Sequence, residues 1–198
     1  MNVFAVQFVR PSSDKASQKK HRQELWCSPA DATFLAGDRF RGHLFPDDWH
    51  RVELNFGDSE PWTADFHSFG PGALVCSERA KDTACALEDE GEFLPVKIRG
   101  VRGRYHLFNT MNCRSYLNSK KTVWKKSRKI SSANQIVKHS FWADRIGDDC
   151  LFKLLEEGAV THYCIERTGD PHDGEFKALI ESAGLTGVAF KKVWSGGR

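Results

Sequence analysis

Residues 77–98 read SERAKDTACALEDEGEFLPVKI and contain the clearest helix of the chain, followed by a strand. Ser77 can accept a hydrogen bond from a free backbone N–H group as the N-cap, and Glu78 suits the positive end of a helix. The apolar residues that recur at spacings of four and three share one helical face: Ala80, Ala84 and Leu87. The acidic run before Gly91 ends this pattern, so the sequence predicts a helix over residues 77–87.

The segment after this helix, residues 93–98, reads as a strand, and Pro95 places that strand at a sheet edge or a bulge because it lacks an N–H group. Further strands are predicted where apolar and polar residues alternate or where β-branched and aromatic residues are frequent. These segments are residues 3–9, 52–56, 104–110, 135–142, 150–155, 161–167 and 187–194. A second amphipathic helix over residues 175–183 ends at Gly184, which can adopt the left-handed conformation. These elements predict an α+β fold: a mostly antiparallel mixed sheet with two short helices packed on it.

The first part of the chain is less regular. Residues 26–72 are rich in Pro, Gly, Asp and aromatic residues, which favours short strands and turns over long helices. A chain of 198 residues corresponds to one domain or two small ones. We therefore expect an irregular, β-rich N-terminal subdomain over residues 1–72, packed on an α+β domain over residues 73–198 as one compact unit.

Composition excludes several classes of protein. Apolar residues make up 40%, charged residues 28%, and the mean hydropathy is −0.51, which is typical of a globular protein rather than a disordered one. No run of 18 apolar residues exists, so we expect no membrane helix. The first residues, MNVFAVQFVR, have no basic segment or cleavage site of a signal peptide. We therefore expect a cytoplasmic protein whose six cysteines are free thiols.

The sequence contains no strong signature of catalysis, of a cofactor or of a metal site. A phosphate-binding glycine loop, a Gly-x-Ser-x-Gly elbow, a Cys-x-x-Cys pair and a His-Glu-x-x-His motif are all absent. His162 and Cys164 share a strand face, which is compatible with two metal ligands, but a packed pair in a sheet is the favoured interpretation. Arg114 beside Cys113 would lower the pKa of a thiol. A hydrolase that uses Cys113 or His162 is therefore kept as a third hypothesis.

A basic run lies in the second half of the chain, where the net charge is +7 over residues 100–198 against −4 over residues 1–99. Its six cations surround Trp124 with no acid between them: Lys120, Lys121, Lys125, Lys126, Arg128 and Lys129. A basic strip with an aromatic residue is typical of nucleic-acid contact. It is equally typical of a docking face for an acidic protein. The third interpretation is a solvated edge strand, where lysines prevent aggregation.

Two tryptophans flanked by charges, Trp49 and Trp124, are expected to be the most exposed of the six, and exposed Trp is a typical interface anchor. Asp47 and Asp48 precede Trp49 and are usual turn formers. The candidate partner-binding residues are therefore Trp124, Lys125, Lys126, Arg128, Asp47, Asp48 and Trp49.

Five segments carry a family resemblance, in the order LVCSERA (74–80), EFLPV (92–96), YHLFN (105–109), EFKALI (175–180) and AGLTGVAF (183–190). Over residues 74–194 the chain resembles the immunity-protein domain family of bacterial polymorphic toxin systems. The segments that match are structural: a helix cap, a strand proline and a helix-ending glycine.

The resemblance implies a cytoplasmic, non-enzymatic protein that binds and neutralises a cognate toxin, without a cofactor. An inhibitor of a cationic nuclease would be expected to be acidic, whereas the second half of this chain is basic. Either the acidic N-terminal half therefore contacts the toxin, or the toxin is not a cationic nuclease. The alternative function is a nucleic-acid-binding accessory protein that uses residues 120–129, and this alternative predicts affinity that falls steeply with salt.

Overall fold

The computed structural model describes residues 1–9, 25–35, 40–57, 61–70, 72–84, 89–125, 136–167 and 175–196. Within these ranges the strands are β1 (Asn2–Phe8), β2 (Trp26–Cys27), β3 (Val52–Asn55), β4 (Phe66–Phe69), β5 (Ala73–Ser77), β6 (Gly91–Ile98), β7 (Tyr105–Thr110), β8 (Cys113–Arg114), β9 (Val123–Trp124), β10 (Ile136–Lys138), β11 (Leu151–Leu154), β12 (His162–Glu166) and β13 (Val188–Ser195). The α-helices are α1 (Pro29–Leu35), α2 (Glu78–Thr83) and α3 (Phe176–Ser182).

The predicted α+β class is confirmed: strands dominate the core, and short helices accompany them. Helix α1 was not predicted, and it begins after Ser28, whose hydroxyl accepts the Asp31 N–H at 3.1 Å. A short polar cap of this kind offers little sequence signal inside an irregular region. None of the described helices is long and apolar enough to cross a membrane.

The helix ends follow the local signals in the sequence. The hydroxyl of Ser77 accepts the backbone N–H of Ala80 at 3.1 Å, so Ser77 is the N-cap of α2 as predicted. Helix α2 ends at Thr83, and residues 85–88 of the longer predicted helix lie outside the described residues. Gly184, with φ of +61°, follows α3 in the left-handed conformation that the prediction required.

Two larger sheets form the body of the fold, and a small β9–β10 hairpin stands beside them. The five-stranded sheet has the order β13-β1-β12-β11-β8 and is antiparallel except where β11 meets β8. The six-stranded sheet has the order β2-β3-β6-β7-β5-β4 and is antiparallel except where β3 meets β6. An isolated bridge between Leu25 and Phe69 joins the two ends of that order, so the six strands curl back on themselves.

The first 72 residues contribute to both sheets. Strand β1 lies between β12 and β13, and β3 lies beside β6. Strands β4 and β5 pair from Phe69 opposite Ala73, so the expected boundary at residue 72 falls within a hairpin.

Pro95 lies in an interior strand, because β6 is paired with β3 on one side and β7 on the other. We expected a sheet edge or a bulge at Pro95; the edge strand is wrong, and the pairing of β6 with β7 shows no register shift there. Pairing with β3 starts only at Val96, and the Pro95 carbonyl accepts the indole N–H of Trp49 at 3.0 Å. The N–H and C=O groups of one strand residue point to the same side of the strand. The side of Pro95 that lacks an N–H is therefore the side occupied by Trp49, where β3 forms no hydrogen bond with it.

Apolar side chains fill three layers. A central core lies between the two sheets and includes α2 and α3, with Phe4, Val6, Phe66, Leu74, Cys76, Phe108, Leu151, Cys164, Phe176 and Ile180. A second core fills the curled six-stranded sheet and includes Leu25, Val52, Leu54, Val75, Val96 and Leu107. We call the third group the outer cluster, which covers the far face of the five-stranded sheet: Val3, Ala5, Tyr116, Leu117, Phe141, Phe152, Leu154, Tyr163 and Ile165.

Candidate functional site

A cleft of about 610 Å³ opens above the outer cluster. Lys138, His139 and Ser140 come from the end of β10 and the residues after it, and Lys121 comes from the turn before β9. The end of β13 supplies the apolar side through Val193 and Trp194, together with Ser195. Three segments that are far apart in the chain therefore meet at one surface depression.

The turn that carries Lys121 is fastened to the residues after β10. The Asn118 N–H and the Thr122 hydroxyl both donate to the Ser140 carbonyl, at 2.8 Å and 3.1 Å. The Thr122 N–H donates to the Asn118 carbonyl at 2.9 Å, which closes the turn around Lys121. Because Asn118 and Thr122 are buried, these bonds fix the turn and hold Lys121 on the same side as Lys138.

The lysines around this cleft have no acidic partner among the residues that the structure describes. Within the described part of the chain, no ion pair involves any of Lys120, Lys121, Lys125 or Lys138. Some cations elsewhere in the described residues are paired: Lys177 lies 2.9 Å from Glu166 and 3.0 Å from Glu181. An uncompensated cluster of like charges repels itself and attracts an anionic surface. This region therefore presents uncompensated positive charge to the solvent.

Exposed aliphatic side chains accompany these cations. Val123 and Val137, on the two strands of the hairpin, are 48% and 65% exposed. We name the combination of Lys120, Lys121, Val123, Lys125, Val137 and Lys138 the hairpin surface. Apolar residues surrounded by charged ones are typical of a protein-binding patch.

A hydrogen-bonded chain runs inward from the cleft through His139, Tyr163 and Glu157. The Tyr163 hydroxyl donates to Glu157 Oε2 at 2.6 Å, so the Nε2 of His139, 3.1 Å away, donates to the tyrosine oxygen. Burial, with the nearby charge of Lys191, lowers the pKa of His139 to about 4. His139 is therefore neutral at pH 7, and its ring has a fixed tautomer.

Both tryptophans expected to be exposed are half-buried, so that expectation is wrong. Trp124 packs against the outer cluster, and Trp49 packs against Phe45 with ring centroids 5.1 Å apart. The tryptophan that is exposed is Trp26, at 53%. Successive side chains of a strand point to opposite faces, so a tryptophan can pack on an apolar cluster while its charged neighbours in the sequence face solvent.

The candidate partner-binding residues do not form one site. Asp47 and Asp48 lie in an exposed turn. The next residue, Trp49, packs against the core of the six-stranded sheet. Trp124 and the exposed Lys125 lie over the five-stranded sheet, on the opposite outer side of the fold. Lys126, Arg128 and Lys129 lie outside the described residues.

Of the cleft residues that the sequence did not single out, three matter most for the site: Lys138, His139 and Trp194. Lys138 and His139 were read as part of an apolar strand, and Trp194 as the end of the last strand. Only the register of the hairpin, in which Lys138 lies opposite Val123, could have indicated that Lys138 joins the basic run.

The residues considered for catalysis form a row inside the protein. Cys113, Lys153 and His162 are register partners on β8, β11 and β12, and they share one sheet face. Burial raises the pKa of the Cys113 thiol and lowers that of His162 to about 3. Neither shift produces an activated thiolate or a general base near pH 7, so the row does not favour the hydrolase hypothesis.

The Lys153 ammonium group, fully buried, donates to the carbonyls of Phe40 and Gly72, the latter at 3.2 Å. His162 and Cys164 are also buried, on the same face of β12. Among the described residues, no group of three His, Cys, Asp or Glu side chains is arranged to hold a metal ion. The interpretation of His162 and Cys164 as a packed pair is consistent with their burial.

Comparison of the chain with known protein families found no matching family, and comparison with curated protein sequences found no match either.

Proposed function

We propose that this chain is a non-catalytic, protein-binding inhibitor of the immunity type, which docks its hairpin surface on an acidic and partly apolar face of a cognate toxin. The observation that carries the proposal is the group of lysines around exposed Val123 and Val137, which have no ion pair within the described residues. Charge complementarity would speed association and align the partner, and the two valines would be buried at the centre of the contact. The resemblance to the immunity family supports the same function.

The hairpin surface fits a protein better than a nucleic acid. A nucleic-acid groove combines cations with aromatic faces on which bases stack. Trp124, the tryptophan within the basic run, is instead packed against the outer cluster. The exposed apolar groups are aliphatic, and aliphatic side chains bury well against a protein but offer bases no stacking face.

The proposal locates the inhibitor in the cytoplasm, where it would meet a toxin before damage occurs. The described cysteines are free thiols, as proteins of a reducing compartment usually have.

The first test is affinity capture of the full chain from nuclease-treated lysate of the source cells, followed by co-expression with the captured protein. We expect one stoichiometric partner that survives nuclease treatment. Its toxicity in a host strain should be relieved when the chain is co-expressed. Capture that is lost on nuclease digestion, or a partner whose toxicity the chain does not relieve, would contradict the proposal.

A further inference from the structure

We infer that the cleft beside the hairpin surface is a specificity pocket for an acidic loop of the partner, whose carboxylates bind between Lys121 and Lys138. This inference rests on the proposed function. It names the part of the partner that the basic surface recognises, and it assigns a role to residues that the sequence did not single out.

Charge is the first argument. The cleft is lined by two lysines, by neutral His139 and by two serines, and none of its lining residues is acidic. Lys191, which is exposed on β13, adds a further positive charge close enough to affect His139. A carboxylate that enters therefore meets cations from the hairpin and from β13, and no described acid in the lining repels it.

Size is the second argument. A volume of about 610 Å³ lies in the range of pockets that enclose a whole ligand, roughly 300–1,000 Å³. One carboxylate group would leave most of this space filled with water, whereas a turn of a few residues would fill it. The apolar side formed by Val193 and Trp194 can contact the methylene groups of Glu and the loop backbone.

Rigidity is the third argument. The Trp194 ring packs against Phe141 with centroids 5.5 Å apart. After it, Ser195 donates its hydroxyl proton to the Asn2 side chain at 2.5 Å, and the Gly196 N–H donates to the Met1 carbonyl at 3.0 Å. The end of β13 is thereby fastened to β1. A wall that is already ordered costs little entropy when a partner binds.

A peptide titration tests the pocket without the toxin. The probes are the acidic peptide acetyl-Gly-Glu-Asp-Glu-Gly-amide and its neutral analogue acetyl-Gly-Gln-Asn-Gln-Gly-amide, added to the full chain and followed by NMR. We expect saturable shifts of the His139 ring and the Trp194 indole N–H with the acidic peptide only. We also expect a bound carboxylate to raise the pKa of His139, which the ring resonances report in pH titrations with and without the acidic peptide.

Paired variants separate the pocket from general attraction between opposite charges. Lys121→Ala with Lys138→Ala removes both cleft lysines, whereas Arg51→Ala with Arg102→Ala removes two exposed arginines elsewhere. The first pair should weaken peptide binding at least tenfold, and the second should change it less than twofold. Equal loss in both pairs, or shifts that do not include His139 and Trp194, would overturn the inference.

The inference and the proposed function can fail separately. Specific peptide binding in a chain that neutralises no toxin would support the pocket and overturn the proposed function. Conversely, toxin binding that is as tight in the Lys121→Ala and Lys138→Ala variant as in the parent chain, but abolished by Val137→Asp, would overturn the pocket and leave the proposed function intact.

Discussion

Lys138 lies directly opposite Val123 across the β9–β10 hairpin, and this register joins two parts of the chain into one surface. Lys138 is thereby placed beside the turn that carries Lys121. Both lysines line the same cleft as Trp194. The basic run that is evident in the sequence is therefore only one side of the proposed docking surface. The other side comes from the return strand and from the end of the chain.

The first prediction concerns the aliphatic centre of the hairpin surface. Val137→Asp should weaken toxin binding at least tenfold. The substitution removes an apolar contact that the complex would bury, and it adds a charge that repels an acidic partner. Stability should fall by no more than about 1 kcal/mol, since Val137 is 65% exposed and the cost comes mainly from the poor strand propensity of Asp. Leu44→Asp is the matched control, because Leu44 is 68% exposed at the other end of the fold. Titration calorimetry and urea unfolding measure the two effects, and equal binding loss in both variants would contradict the prediction.

The second prediction concerns Glu90, which fixes the start of β11. Its carboxylate accepts the N–H groups of Cys150 at 2.6 Å and Leu151 at 2.9 Å, and the amide of Asn112 at 2.9 Å. Glu90→Gln replaces one acceptor oxygen by a donor that faces another donor. We expect a loss of about 2 kcal/mol in the free energy of unfolding. Asp89→Asn, at the exposed neighbouring position, should cost less than about 0.5 kcal/mol in the same urea experiment.

The third prediction concerns the buried lysine. Burial lowers the pKa of Lys153 to about 8 from its usual value of 10.5. Between these pH values the unfolded chain holds a proton that the folded chain has lost, so stability contributed by Lys153 rises with pH by up to about 1.4 kcal/mol per unit. Lys153→Met should remove this rise. Urea unfolding of both proteins from pH 7.5 to 10 measures it, and parallel pH profiles would show that Lys153 does not cause the rise.

The fourth prediction compares two glycines of the segment AGLTGVAF. At Gly187, with φ of +98°, an added Cβ would lie 2.0 Å from the Phe66 carbonyl oxygen, whereas at Gly184, with φ of +61°, nothing lies within 4 Å. Gly184→Ala should cost about 1 kcal/mol from the left-handed backbone alone. Gly187→Ala should lower the free energy of unfolding by clearly more, since β4 must move away from the added Cβ. Equal melting temperatures for the two variants would show that the contact with β4 is not tight.

Much of the local structure was predictable because its causes are local. The Ser77 cap and the Gly184 stop are signals within a few residues, and the strand segments follow from alternation. The division of strands between two sheets was not predictable, since it depends on contacts such as the bridge between Leu25 and Phe69. The same limit applies to the cleft, whose lining comes from three segments and whose lysines are related only through hairpin register.

The most direct test of the central claim is the affinity of the captured partner for three forms of the full chain, measured at one ionic strength. The forms are the parent chain, the Lys121→Glu and Lys138→Glu variant, and the Arg51→Glu and Arg102→Glu variant with the same change in net charge. We predict that the lysine variant loses at least a hundredfold in affinity while the arginine variant stays within threefold of the parent. Equal losses in the two variants, or none in either, would contradict a partner that docks on the hairpin surface.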